Sequence, residues 1–176
     1  MGRSPRGLSK CYLWRCFVLI LVLCGTQKQN FSRMIREVEK LADHYEKDII
    51  VQAGHSEYSS DKMKIFDFIS GKELKVLYER ADYIITHAGA GSMLQAIKAG
   101  KKTIAFPRLQ KYGEHVDDHQ LQLAKKLQSL GYLLVFHDGD EMIDVFNEAC
   151  NFMPILYDLR GDIPSLINKQ LAKILN

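Results

Sequence analysis

Tyr83-Ile84-Ile85-Thr86-His87-Ala88-Gly89-Ala90-Gly91-Ser92 is the stretch that decides the fold. A short apolar run passes into small residues, and a helical pattern follows at residues 92–99 until Gly100 stops it. Strand, small-residue turn and helix start, taken in that order, bring bare backbone N–H groups and the positive end of a helix dipole to one spot. An anion docks at such a spot. Gly89 and Gly91 let a diphosphate come close, because nothing projects from their α-carbons. His87 and Ser92 are expected to add side-chain donors at the rim.

The same alternation extends in both directions. Residues 17–24, 49–52, 63–69, 83–86, 103–106 and 133–136 read as strands. Residues 31–45 place Phe31, Met34, Ile35, Val38, Leu41, Ala42 and Tyr45 on one helical face. Ser70-Gly71-Lys72-Glu73 is a capping box that opens a helix to Arg80. Asp117 or Asp118 is expected to cap a helix ending before Gly131, and further helices are expected at residues 141–150 and 164–175. Strand and helix in alternation predict an α/β fold, a Rossmann-like parallel sheet with helices on both faces. Ligands of such sheets sit outside the carboxyl ends of the strands. The rim is then made of Gly25-Thr26-Gln27, Gly54-His55, Phe68-Ile69-Ser70, residues 87–92 and Pro107-Arg108.

The chain has 176 residues, enough for a single core, and no linker or repeat divides it. Net charge is +3, with no basic block interleaved with aromatics, so a nucleic-acid surface is not expected. Cys11, Cys16, Cys24 and Cys150 form no Cys-x-x-Cys pair and meet no His cluster, so no zinc pattern is present, and a reducing cytoplasmic setting fits. Arg3, Arg6, Lys10 and Arg15 precede the apolar run at residues 16–24, as in a signal peptide. That run is too short to span a bilayer as a helix. Gly25-Thr26-Gln27-Lys28 is also a poor cleavage site, so the run is taken as a buried parallel strand. Residues 1–15 are then expected to be an extension and residues 16–176 one domain.

Several rim residues carry recognisable chemistry. The hydroxyl and amide of Thr26 and Gln27 can reach a phosphate or a sugar; the same turn also reads as an ordinary strand-to-helix connection. Phe68-Ile69 can face a nucleobase or simply pack. Asp117-Asp118-His119-Gln120 offers two carboxylates, one to cap a helix and one to hold sugar hydroxyls. Glu114-His115 stands in the preceding loop, where a His beside a Glu can do acid–base work or lie solvated. Gln95 is a further polar candidate.

Together these residues resemble the C-terminal, donor-binding domain of glycosyltransferase family 28, over residues 18–134. The family enzyme that adds N-acetylglucosamine to lipid I has a Gly-Ser-Gln turn similar to Gly25-Thr26-Gln27 and a Phe-Ile pair at its uracil pocket similar to Phe68-Ile69. Its Gly-Ala-rich helix start is similar to Gly89-Ala90-Gly91-Ser92. Single-domain members look closer. They include the catalytic subunit of the dolichol-pathway N-acetylglucosaminyltransferase and the exopolysaccharide and capsule proteins of the PssE/EpsE type. Those carry His-Ala-Gly-x-Gly-[Ser/Thr], then Pro-Arg, then Gly-Glu-His-x-x-Asp-His-Gln, as at residues 87–92, 107–108 and 113–120 here.

The resemblance implies the donor half of a GT-B glycosyltransferase. It implies a UDP-sugar donor and transfer of a hexose or N-acetylhexosamine, with inversion, to a lipid-linked acceptor in polysaccharide or capsule synthesis. A separate, membrane-anchored co-subunit would bind the acceptor, and the chain would lie on the cytoplasmic face of the membrane through that partner. Implied donor-binding residues are Gly25, Thr26, Gln27, Phe68, Ile69, His87, Gly89, Ala90, Gly91, Ser92, Gln95, Arg108, Asp118, His119 and Gln120. Gln95 stands where lipid I enzymes place a glutamate on the ribose. His115, Glu114 and His119 are the implied catalytic side chains, with the general base coming from His115, Glu114 or the partner. No metal is expected, and no cofactor beyond the donor is implied. The competing readings are a non-catalytic nucleotide-binding regulatory subunit and a sugar-nucleotide epimerase-like enzyme.

Overall fold

The computed structural model describes residues 18–157. The expected extension at residues 1–15 and the expected helix at residues 164–175 lie outside the described residues. Six strands form one sheet: β1 (Leu19–Leu23), β2 (Asp48–Gln52), β3 (Lys64–Phe66), β4 (Tyr83–Thr86), β5 (Lys102–Ala105) and β6 (Leu134–Val135). Their order is β3-β2-β1-β4-β5-β6, and every pairing is parallel. That order reverses between β1 and β4, so a crevice opens at their carboxyl ends.

Period-two alternation sorts β1 into two layers. Ile20 and Val22 point into one layer with the helix α1 (Ser32–His44) and the last helix, α5 (Met142–Asn151). Leu19, Leu21 and Leu23 point into the other, against Tyr78 of α2 (Gly71–Arg80) and Ala96 of α3 (Ala90–Lys98). Helix α4 (His119–Ser129) covers β5 and β6 on that second face through Leu123, Ala124 and Leu127. A strand covered on both sides has no polar face to show, and all five residues of β1 are buried.

The capping box at Ser70 is present as expected: its hydroxyl accepts from the Glu73 N–H, and the Glu73 carboxylate accepts from the Ser70 N–H. Three local expectations are corrected. The third strand stops at Phe66, because residues 67–70 leave the ladder to enter the cap. Helix α3 begins at Ala90, with Gly89 as its N-cap, two residues before Ser92. Neither Asp117 nor Asp118 caps α4 with its side chain. Asp118 occupies the N-cap position, but its Oδ1 accepts from the Gln110 N–H at 3.1 Å. That bond ties α4 back to a 3-10 turn at Gln110–Tyr112, which the strand–helix pattern does not announce.

Candidate donor-binding site

The β1–α1, β4–α3 and β5–α4 connections meet at the carboxyl edge of the sheet, and the β1–α1 connection also meets the β2–β3 connection, backbone against backbone. Gly25 (φ +83°) and Gly54 (φ +65°) turn the chain at the ends of β1 and β2, and a Cβ on Gly54 would stand 2.3 Å from the Gly25 carbonyl oxygen. Only glycine fits that approach. The His87 ring lies in the same crevice: a Cβ on Gly89 would come within 2.2 Å of its Nε2, and one on Gly25 within 2.8 Å. Between them Ala88 holds φ +61° although it is fully buried, a left-handed conformation that costs a non-glycine residue about 1–2 kcal/mol.

Beyond this turn α3 presents an open amino end. Gly89 makes no side-chain cap, and a Cβ on Gly91 would meet nothing within 4 Å. The first-turn N–H groups of Ala90, Gly91 and Ser92 have no partner within the helix, as at any helix start. The dipole and these amides together suit an anion.

His87 differs from its expected role as a donor. Its Nδ1 stands 3.1 Å from the Leu23 carbonyl, which can only accept, so Nδ1 carries the proton and Nε2 presents a lone pair. Burial pushes its pKa down from 6.5 to about 4, and the nearby Arg108 pushes the same way. The ring is neutral at physiological pH and adds no positive charge beside a diphosphate.

Arg108 is likewise corrected. Its side chain is 1 % exposed. Nη2 donates to the Cys24 carbonyl at 2.9 Å, and Nη1 donates to the carbonyls of Gln29 (2.9 Å) and Glu114 (3.2 Å), with the guanidinium 4.4 Å from the centre of the Phe31 ring. It braces the β1–α1 loop against the β5–α4 loop from inside. Its Nε and the Oε1 of Gln27 are buried without a hydrogen-bond partner.

Glu114 is no open acid at the rim. It is 4 % exposed, and its carboxylate accepts from Arg33 Nε (2.8 Å), Arg33 Nη2 (2.7 Å) and the Leu109 N–H (3.0 Å). His115 is partly exposed; its Nδ1 accepts from the Asp117 N–H at 3.2 Å and stands 3.2 Å from Asp117 Oδ1, an ion pair when the ring is protonated. Gln120 accepts from the Arg108 N–H at 3.4 Å. His119 starts α4, and its side chain lies outside the described residues.

The remaining candidates divide. Thr26 and Gln95 are exposed, and Ser92 is half-buried. Phe68 is 53 % exposed and meets His55 edge-on at 5.2 Å. With Ile69 it lines one end of an apolar groove of about 720 Å³ that runs between β3 and α2 past Ile50, Phe66 and Val76. Sequence reasoning missed Arg33 altogether. It stands in the first turn of α1, on a helix read only for its apolar face, and no local pattern links it to a glutamate 81 positions away.

Among the described residues no helix is long and apolar enough to cross a membrane. Cys24 is a buried thiol whose pKa burial pushes up to about 12, so it behaves as a small hydrophobe.

A six-stranded parallel sheet with this order, carrying its glycine turns at the reversal point, is the Rossmann-like nucleotide-binding architecture of GT-B glycosyltransferases. The glycosyltransferase family 28 C-terminal domain model matches residues 19–148, and the chain belongs to that family. Among curated proteins, the "UDP-N-acetylglucosamine transferase subunit ALG13" of Yarrowia lipolytica is 24% identical over 163 residues, covering 77% of this chain and 79% of that one. The protein of the same name from Candida glabrata is 35% identical over 65 residues, 37% of this chain and 31% of its own length. The human one is 38% identical over 60 residues, 34% of this chain and 5% of its own length. The matched part thus spans less than a third of these last two relatives.

Among solved structures, the solution structure of ALG13 covers 90% of this chain and 97% of its own, at 20% identity and a TM-score of 0.58. The glycotransferase of kitacinnamycin covers 99% of this chain but 43% of its own, at 13% identity and 0.60. The UDP-GlcNAc 2-epimerase from Methanocaldococcus jannaschii covers 91% of this chain and 46% of its own, at 14% identity and 0.59. Transferase and epimerase share this fold, so the fold does not choose between their chemistries; the family match does.

Proposed function

We propose that this chain is the donor-binding half of a UDP-sugar glycosyltransferase, completed by a separate subunit that binds the acceptor. The observation that carries the reading is the open amino end of α3 beside the Gly25 turn, in a chain whose family is shown. Alignment with 97% of the solved ALG13 chain, at a TM-score of 0.58, supports a donor-binding unit of that type. The names of the curated relatives support N-acetylglucosamine as the sugar and work as a subunit. The motif at residues 113–120 supports a lipid-linked acceptor, a membrane-anchored partner and a place on the cytoplasmic face, as in exopolysaccharide or capsule assembly.

In this reading the amides of Ala90, Gly91 and Ser92 and the α3 dipole stabilise the charge that develops on the leaving UDP. Phe68 and Ile69 flank the uracil. The resemblance assigns Asp118, His119 and Gln120 to the sugar, and displacement from its far face inverts the anomeric centre. Both of the chain's own candidates for the general base are engaged: Glu114 by Arg33, and His115 Nδ1 by the Asp117 amide. On this reading the base that takes the acceptor's proton is supplied by the acceptor subunit.

The test is transfer of radiolabelled sugar from UDP-N-acetylglucosamine, UDP-glucose and UDP-galactose into lipid extract, with and without membranes of the source cell, beside calorimetric titration with UDP. Membrane-dependent transfer and UDP binding are the expected result. Failure of the full chain to bind UDP, alone or with membranes, overturns the reading. Gln120→Ala is expected to weaken donor use while leaving the fold intact; undiminished turnover by this variant removes Gln120 from the site.

A further inference from the structure

The β5–α4 loop carries the side chains nearest the sugar in the proposed reading, yet it has little regular structure beyond the 3-10 turn. Arg108 ties it to Cys24 and Gln29 from inside, Lys111 and Tyr112 reach Asp138, and a further long-range pair grips it from the side of α1. Arg33 reaches from α1 to place Nε and Nη2 on the two carboxylate oxygens of Glu114, and Nη2 also donates to the Pro107 carbonyl at 3.1 Å. Its guanidinium lies between two rings, 4.6 Å from the centre of Phe106 and 4.8 Å from that of Tyr112. The planar fork matches a carboxylate with two parallel N–H···O bonds, which a lysine cannot reproduce. Glu114 in turn gathers the loop: its carboxylate accepts from the Leu109 N–H, its own N–H donates to the Leu109 carbonyl, and its carbonyl accepts from Arg108. At the far end Asp118 is tied to Gln110 and Gln120 to Arg108. The segment from His115 to Asp118 is thus suspended between two ties, with Val116 73 % exposed at its tip.

We propose that Arg33 is a positioning residue for the donor site: held between Phe106 and Tyr112, it grips Glu114 and so sets where residues 115–120 stand against the sugar. The proposal rests on the donor-binding reading above. It separates Arg33 from the core, because α1 is already docked by Phe31, Met34, Ile35, Val38 and Leu41, all fully buried. Losing the guanidinium releases the loop and leaves α1 packed. It also separates two parts of the ligand. The diphosphate is held by the β4–α3 turn, which Arg33 does not touch, whereas the sugar is held by the loop that Arg33 steadies.

The experiment is calorimetric titration of the full chain with UDP and with UDP-N-acetylglucosamine, for the wild type and for Arg33→Lys, Arg33→Met, Glu114→Gln and the double variant Arg33→Met/Glu114→Gln. Urea midpoints are measured in parallel. Each single variant is expected to weaken UDP-N-acetylglucosamine about tenfold and UDP less than about threefold, with Arg33→Lys no better than Arg33→Met. The double variant is expected to be no worse than either single one, because both break the same pair. Variants that bind both ligands as the wild type does overturn the proposal. So do variants that lose both ligands equally in step with a lowered urea midpoint, and so does full rescue by lysine. A wild type that binds neither ligand overturns the donor-binding reading itself, a result no variant is needed to see.

Discussion

The two walls of the site are built differently. The wall at β1, β2 and β4 is mostly backbone: Gly25 against Gly54 and the bare amino end of α3, with the His87 ring laid over Gly25 and Gly89. The wall at β5 is side chain: Arg108 inside, Arg33 outside, and Glu114 between them. In the proposed reading the diphosphate, much the same in every nucleotide sugar, would be met by main-chain amides that substitution cannot alter. Sugars differ in their hydroxyls, and they would be met by a loop whose position depends on a few exchangeable side chains. On that reading one wall is general and the other adjustable.

The contrast breaks first at Arg108. Arg108→Met removes a buried guanidinium and leaves the carbonyls of Cys24, Gln29 and Glu114 without their donor. At about 1 kcal/mol or more for each orphaned group, stability is expected to fall by about 3 kcal/mol or more, read as a lowered urea midpoint. A loss below about 1 kcal/mol shows that water replaces the guanidinium and that the β5 wall stands without it.

The backbone wall is probed by Gly54→Ala, which puts a methyl against the Gly25 carbonyl at a positive φ. A cost of about 2–3 kcal/mol is expected, with weakened binding of UDP as well as of UDP-sugar. Loss of stability with UDP affinity intact separates the glycine contact from the diphosphate wall.

The pH response isolates His87. Its folded pKa lies near 4 against 6.5 ordinarily, so between those values the unfolded chain binds a proton that the native chain refuses. Stability from this group is complete above pH 6.5 and is lost as pH falls toward 4, by about 2 kcal/mol once its partial exposure is allowed for. His87→Asn keeps a donor for the Leu23 carbonyl and is expected to flatten that slope in urea denaturation followed from pH 7 to pH 4. An unchanged slope shows that the ring is not the proton-refusing group.

The smallest effect is expected at Ser70, far from both walls in kind. Ser70→Ala breaks a cap that is local to its helix, costing about 1 kcal/mol and leaving the ratio of UDP to UDP-sugar affinity unchanged. A changed ratio makes the groove beside Phe68 part of sugar selection.

What was legible follows the same division. The strands, the capping box and the Gly89–Gly91 turn could be read directly, because alternation, caps and glycines act through neighbours in the chain. The family motif at residues 113–120 was legible too, but the roles of its side chains were not. Glu114 and Arg108 look like catalytic and anion-binding groups in sequence, and both are buried struts in the structure. The sequence pattern places the start of α3 two residues late, because Gly91 is a poor helix former and reads as part of the turn, whereas in the fold Ala88, Met93 and Ile97 share one buried cluster and the helix begins at Ala90.

By itself the amino-acid sequence determined a parallel sheet, its carboxyl rim and a glycine-bounded helix start at that rim, since each depends on residue type at short spacing. The tertiary structure alone decided which charged groups stand at the rim and which face inward. Arg33 and Glu114 are 81 positions apart, and Arg108 lies 84 from Cys24. Pairing over such separations is set by where the packed sheet carries the chain, because a charge withdrawn from water must find whichever partner the core has brought within reach.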